Sequence, residues 1–208
     1  MKDTSWFVNT GENAETLTVT IRKPSTVYLD EFFRLRCASD ILAKGIFYVN
    51  NPAKEISESM AVFNAVRRTA GDSIFHSPTN LLVSVGDGST PRTAGLFAFR
   101  SKMSCFSIDP LGKNGWDIKG LAVIPKCIED VSIGCDIPPW EYRVLVACHS
   151  HAPLEVAVQK FKPHLVVAMQ CCVPQFVGND APITGFKEYH DWGVWSDKRH
   201  NKVWELEW

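Results

Sequence analysis

From residue 81 onward, short apolar runs alternate with amphipathic or polar stretches. Leu81 to Val85, Ser104 to Ile108, Leu121 to Ile124, Tyr142 to Cys148 and His164 to Met169 are apolar, largely β-branched and too short for helices, the pattern of strands buried in a sheet. Between them, Arg92 to Phe99, with Leu96, Phe97 and Phe99, and Pro153 to Phe161 fit helices laid on that sheet. The stretch Pro110 to Gly120 is too rich in glycine and polar residues for a helix, which predicts a loop as the second crossover. Trp192 to Trp195 and Val203 to Trp208 flank the polar run Ser196 to Lys202 and predict an antiparallel hairpin at one sheet edge. Upstream, Thr16 to Arg22 alternates as a strand does, Leu29 to Ala43 suits one helix, and Ser57 to Ala70 suits another with Met60, Phe63 and Val66 on one side. The pattern predicts an α/β chain with a seven-stranded, mostly parallel sheet over residues 76–208. Residues 1–75 are expected to form an N-terminal strand/helix extension that packs on this core, being too small to bury much core alone.

The first strand opens into Gly86-Asp87-Gly88-Ser89-Thr90. The two glycines let the backbone turn sharply and approach a ligand closely. Thr90 is expected to cap the next helix, with Pro91 at its first position, leaving N–H groups directed at whatever fills the loop. About twenty residues downstream the second strand ends in Asp109, where a carboxylate lies beside the tip of the first strand and can accept both ribose hydroxyls of an adenosine cofactor.

Composition narrows the setting. The chain has 208 residues, 45% of them hydrophobic, enough for one sizeable core. No apolar stretch approaches the ~20 residues that span a bilayer, and Met1 to Trp6 lacks the apolar middle of a signal peptide. No membrane partner is expected. Seven cysteines, odd in number and including the adjacent Cys171 and Cys172, argue against a secreted disulfide framework and for a reducing, cytoplasmic compartment. A formal net charge of −1 gives no bulk attraction to nucleic acid. The basic tip Lys198, Arg199 and Lys202 reads as solvated hairpin charge or as a phosphate contact.

Parallel strands place ligands at their carboxyl ends. That rule selects Gly86 to Thr90, Asp109, Ile128 to Asp130, Cys148-His149-Ser150-His151 and Gln170-Cys171-Cys172. On these residues the chain resembles a class I S-adenosylmethionine-dependent methyltransferase of Rossmann-like fold, over about residues 78–208. The resemblance implies that Gly86, Asp87, Gly88, Ser89 and Thr90 hold the methionine part of S-adenosyl-L-methionine, Asp109 the ribose, and Ile128 with Glu129 the adenine. Ser89-Thr90 stands where a third glycine often occurs in that family. Val144 to Ala152, with Val166 to Cys172, is similar to the branch that includes a eukaryotic tRNA 2′-O-methyltransferase, which implies an RNA substrate near Cys171, Cys172, Lys198 and Arg199. The usual Cys-Gly step after the histidine is missing.

The residues also have a reading of their own. Methyl transfer asks a protein to position donor and acceptor, exclude water and, for a hydroxyl acceptor, remove a proton. His149 or His151 suits that last task. The same histidines can instead hydrogen-bond across the strand end, the cysteines can be small core residues, or Cys148, His149, His151, Cys171 and Cys172 can bind zinc. A noncatalytic cofactor- or metal-binding module and an NAD-dependent oxidoreductase are the rival functions. No Tyr-x-x-x-Lys pair supports the second. The region after the fourth strand carries neither the aspartate of cap-ribose enzymes nor an Asn/Asp-Pro-Pro-Tyr motif.

Overall fold

The computed structural model describes residues 26–132, 140–169, 186–196 and 199–208. Seven strands form one sheet: β1 (Leu81–Val85), β2 (Ser104–Ile108), β3 (Leu121–Ile124), β4 (Arg143–Cys148), β5 (Leu165–Met169), β6 (Lys187–His190) and β7 (His200–Glu205). Their order is β3-β2-β1-β4-β5-β7-β6. Strands β1 to β5 run parallel, whereas β7 is antiparallel to β5 and β6 to β7. The sheet is Rossmann-like, as the alternation of runs predicts. β1 and β5 are buried along their whole length, which explains why their sequences are continuous apolar runs rather than alternating ones.

Alternate side chains serve opposite faces. Leu82, Val144, Val146, Leu165, Val167 and Met169 join one cluster with the N-terminal helices and α4 (Arg92–Arg100), while Leu81, Val83, Val85, Leu145, Val166 and Ala168 join a second with Leu154, Val158 and Phe161 of α5 (Leu154–Phe161). As predicted, no helix lies between β2 and β3.

The N-terminal helices depart from the expected pattern. The single helix expected over Leu29 to Ala43 is two, α1 (Val27–Phe33) and α2 (Ala38–Ala43), joined by a tight turn in which Leu35 N donates to Phe32 O and Ala38 N to Leu35 O. In one straight helix Ala38 and Ile41 would lie about 180–240° around from Phe32; the break lets Tyr28, Phe32, Ala38 and Ile41 all face the core. The next helix, α3 (Pro52–Ala70), starts five residues before the expected Ser57, because the Asn51 side chain accepts from Lys54 N at 3.2 Å and Pro52 opens the first turn. It is buried from Ile56 to Val66 and packs against α1, α4, β4 and β5. Polar residues Ser57, Glu58, Ser59 and Asn64 are carried inside with it.

The terminal hairpin is also displaced from its expected register. Its first strand is Lys187–His190, and Trp192 to Trp195, expected as strand, belong to the connection. Contacts with the N-terminal helices pull this segment off the ladder: Tyr28 Oη donates to Asp191 Oδ2 at 2.6 Å, and Trp195 N donates to Ser57 Oγ at 3.0 Å. Asp191 shapes the turn by accepting from Gly193 N, and Val194 is fully buried. The expected strand over Thr16 to Arg22 lies outside the described residues.

The four cysteines among the described residues are free thiols. No described helix is long and apolar enough to cross a membrane.

Candidate functional site

Register decides which loops meet. Val85 pairs with Ile108 and Ile108 with Ile124, so β1, β2 and β3 end at one height. Ser84 pairs with Val146, which brings Gly86 level with Cys148 at the end of β4. Around these four strand ends lies a cavity of about 420 Å³, lined by Gly86, residues 108–111 and 126–129, His149 and residues 151–153. Of the residues singled out in the sequence, Gly86, Asp109, Ile128, Glu129, His149 and His151 converge on it.

Gly86 and Gly88 both have left-handed backbones, with φ of +68° and +80°. A Cβ on Gly86 would collide with the side chain of Ser150, so the loop from β4 seats directly against the glycine. Asp109 ties two loops together: Oδ2 accepts from Gly88 N at 2.9 Å and Oδ1 from Leu111 N at 2.8 Å. A carboxylate offers about four acceptor positions, so these two bonds leave acceptor capacity on a residue that lines the cavity.

The expectation that Thr90 caps α4 is corrected. Asp87 does so instead, its two carboxylate oxygens accepting from Thr93 N at 2.9 Å and Ala94 N at 3.0 Å, while Ser107 Oγ donates to it at 3.2 Å. Asp87 is buried, and burial raises its carboxyl above the ordinary range against the pull of those N–H groups and Arg92. The loop thus satisfies the helix N-terminus from within. Gly88, Ser89 and Thr90 complete the loop but, like Asp87, stand outside the cavity wall.

On the β4 side, His149 has φ +51°, a left-handed backbone on a residue with a side chain. Such a conformation persists only where surroundings hold it. Its Nε2 lies 2.8 Å from Glu58 Oε1, off the axis of a straight hydrogen bond. Glu58 comes from α3, is 1% exposed, and also pairs with Lys54 Nζ at 3.2 Å. Burial raises its carboxyl, but His149, Lys54 and Ser196 outweigh that and hold it below the usual range. Lys54 is shared with Glu55, which pairs in turn with Arg92 at 2.8 Å. His151 is exposed on the cavity rim. The Cys148 thiol is pushed well up by burial and then by Glu58, Asp87 and Glu55, which keeps it protonated.

Sequence reasoning missed Glu58. Its one signal was an acid within the apolar and small run Ser57 to Val66 of a buried helix, and nothing local named its partner, 91 positions away. Also missed were Pro110, Leu111, Lys126 and Cys127 in the wall. Arg199 is not at this cavity; it sits on the hairpin with its guanidinium 5.8 Å from the centre of the Trp192 ring. Cys171, Cys172 and Lys198 lie outside the described residues. Among the described residues, no three of His, Cys, Asp and Glu gather as a metal site.

No family model matches the chain, and no curated protein does. Among solved structures, a mutant of MtNAS in complex with S-adenosylmethionine is similar at 14% identity, over 88% of this chain and 77% of that one, with a TM-score of 0.43. A second structure of an MtNAS mutant matches at 15% identity, over 86% of this chain and 67% of that one, with a TM-score of 0.43. MtNAS in complex with MTA and tNA matches at 16% identity, over 86% and 73%, with a TM-score of 0.42. Likeness at this level decides nothing about the chemistry of the cavity.

Proposed function

We propose that this chain is an S-adenosylmethionine-dependent methyltransferase acting on RNA, with the donor held along Gly86, Asp109, Ile128 and Glu129 and the acceptor admitted beside His149 and His151. One observation carries the reading: four strand ends bring a close-approach glycine, a ribose-competent carboxylate, an apolar wall and two histidines around one cavity. Its volume suits a cofactor-sized ligand, which takes ~300–1,000 Å³. The residues present fit the group chemically. Asp109 has acceptor capacity for a diol, Ile108 and Ile128 offer apolar surface to a purine, and Gly86 lets the backbone come close.

When bound, the donor supplies an electrophilic methyl group on a sulfonium. The protein's own part is to orient and to handle a proton. Asp109, anchored to Gly88 and Leu111, fixes the spacing between the glycine loop and the β2 end. Asp87, buried under the loop, keeps that loop rigid. In this reading His149 or His151, both in the cavity wall, takes the acceptor proton. Residues 1–75 act in this reading as an extension of the 76–208 core. The RNA assignment draws on the sequence similarity to a tRNA-modifying branch and on the hairpin, where Arg199 and Lys202 lie over the aromatic rings of Trp192 and Phe186.

Calorimetric titration with S-adenosylmethionine, S-adenosylhomocysteine and NAD tests the donor assignment. Both adenosyl-sulfur compounds should bind, and Asp109→Ala should weaken them by at least about tenfold, since hydrogen bonds to a charged group are worth ~1.5–3 kcal/mol. Asp109→Asn, which keeps one acceptor oxygen, should fall between. Unchanged affinity in Asp109→Ala sinks the assignment, and binding of NAD alone moves the chain to the oxidoreductases.

A further inference from the structure

We propose that Glu58 is a positioning residue that locks His149 as a proton acceptor, so that the methyl acceptor is a hydroxyl and not an atom that attacks without losing a proton. This rests on the methyltransferase reading and extends it to the class of acceptor.

The geometry carries the inference. Glu58 is a carboxylate on a helix buried from Ile56 to Val66 and is itself 1% exposed, and burying a charge is costly unless it is paired. Its Oε1 stands 2.8 Å from His149 Nε2. His149 has a left-handed backbone at φ +51°, and the residue lines the cavity. A carboxylate beside Nε2 selects the tautomer with the proton on Nε2, leaving Nδ1 as the ring's basic nitrogen.

The surrounding charges are disposed to support this. On α3, Lys54 lies 3.2 Å from Glu58 and 3.3 Å from Glu55. On α4, Arg92 is taken by Glu55 at 2.8 Å and by the Asp87 carbonyl at 3.1 Å. From the C-terminal segment Ser196 adds a hydrogen bond to Glu58, and on β4 the Cys148 thiol stays protonated. Lys54 divides its charge between two carboxylates, and Glu58 faces the His149 ring as its second neighbour. In the step proposed, the acceptor oxygen bonds to the methyl carbon and its proton passes to His149 Nδ1. The electron pair of the breaking C–S bond stays on sulfur, giving the neutral thioether. Glu58 faces the new imidazolium without taking its proton. An acceptor that starts as a bare lone pair, such as guanine N7, gives Nδ1 nothing to do.

Nitrogen-edited NMR of histidine-labelled protein at neutral pH tests the lock, with His149→Asn identifying the resonances. The parent should show His149 in one tautomer, protonated at Nε2. Glu58→Gln, which can present either its carbonyl or its amide to the ring, should show mixed tautomers with affinity for S-adenosylmethionine unchanged. A parent spectrum with mixed tautomers, or with the proton on Nδ1, overturns the dyad whether or not the variant folds, and leaves the donor assignment standing. Failure of the parent to bind S-adenosylmethionine overturns the functional reading while the tautomer result stands on its own. With unmodified transcribed RNA and radiolabelled donor, digestion to nucleosides should place the methyl on ribose oxygen, and Glu58→Gln should lower kcat about 100-fold with KM little changed. Label on guanine N7 refutes the acceptor class.

Discussion

Single residues in this site do work that their neighbours in sequence do not announce. Gly86 combines a left-handed backbone with contact against Ser150. Gly86→Ala should cost about 1–2 kcal/mol for the backbone alone, with a further loss from displacing Ser150, read as a drop in urea midpoint together with loss of donor binding. Near-wild-type stability would mean that the β4 loop moves aside easily. Glu58 supplies a pH signature. Its carboxyl is held below the ordinary value in the fold, so its contribution is full above the unfolded glutamate value, ~4.3, and is lost as pH falls through the lower folded value. Chemical denaturation from about pH 7 down to pH 3 should therefore show the parent losing stability more steeply than Glu58→Gln. Parallel curves would show that the pair contributes nothing.

At the scale of elements, the helix ends are secured by residues outside the helices. Asp87→Ala strips α4 of its cap and leaves Thr93 N and Ala94 N without acceptors in a buried setting. A cost of about 0.5–2 kcal/mol is expected, visible as a lower Tm. The same local rule misassigned the cap to Thr90, because a loop can fold back and reach N–H groups six or seven residues ahead. The connection between β6 and β7 teaches a related lesson: Trp192 to Trp195 has strand-like composition, yet Tyr28 captures the adjoining Asp191 and Ser57 captures Trp195 itself. Tyr28→Phe removes the bond to Asp191, a buried carboxylate that also lies 3.8 Å from Arg68. About 1.5–3 kcal/mol should be lost, and faster amide exchange in residues 191–196 would locate the effect.

For the whole molecule, a net charge of −1 means that RNA binding must rest on a local surface rather than on bulk attraction. The hairpin with Arg199 and Lys202 is the surface proposed. Binding to single-stranded RNA should weaken with salt, and Arg199→Ala should flatten the log–log slope by about 0.7, the value of one phosphate contact. A slope unchanged by this substitution would remove the hairpin from the interface. The cavity and the buried Glu58 pair lie where both halves of the chain meet, α3 supplying the carboxylate and β4 the histidine. Integrity of the donor site and of the N-terminal helices should therefore be measured in the full chain.

The sequence by itself determined the succession of strands and helices from residue 81, the parallel sheet with its antiparallel end, and the convergence of Gly86, Asp109, Ile128, Glu129, His149 and His151. Those features follow from local burial patterns and from the rule that parallel strands present their carboxyl ends together. Tertiary structure alone decided that Asp87 rather than Thr90 caps a helix, that the N-terminal helix breaks to turn two stripes inward, and that Glu58 meets His149. Each of these is settled by which groups, far apart in the chain, must be buried together and so must satisfy one another's charge and hydrogen bonds.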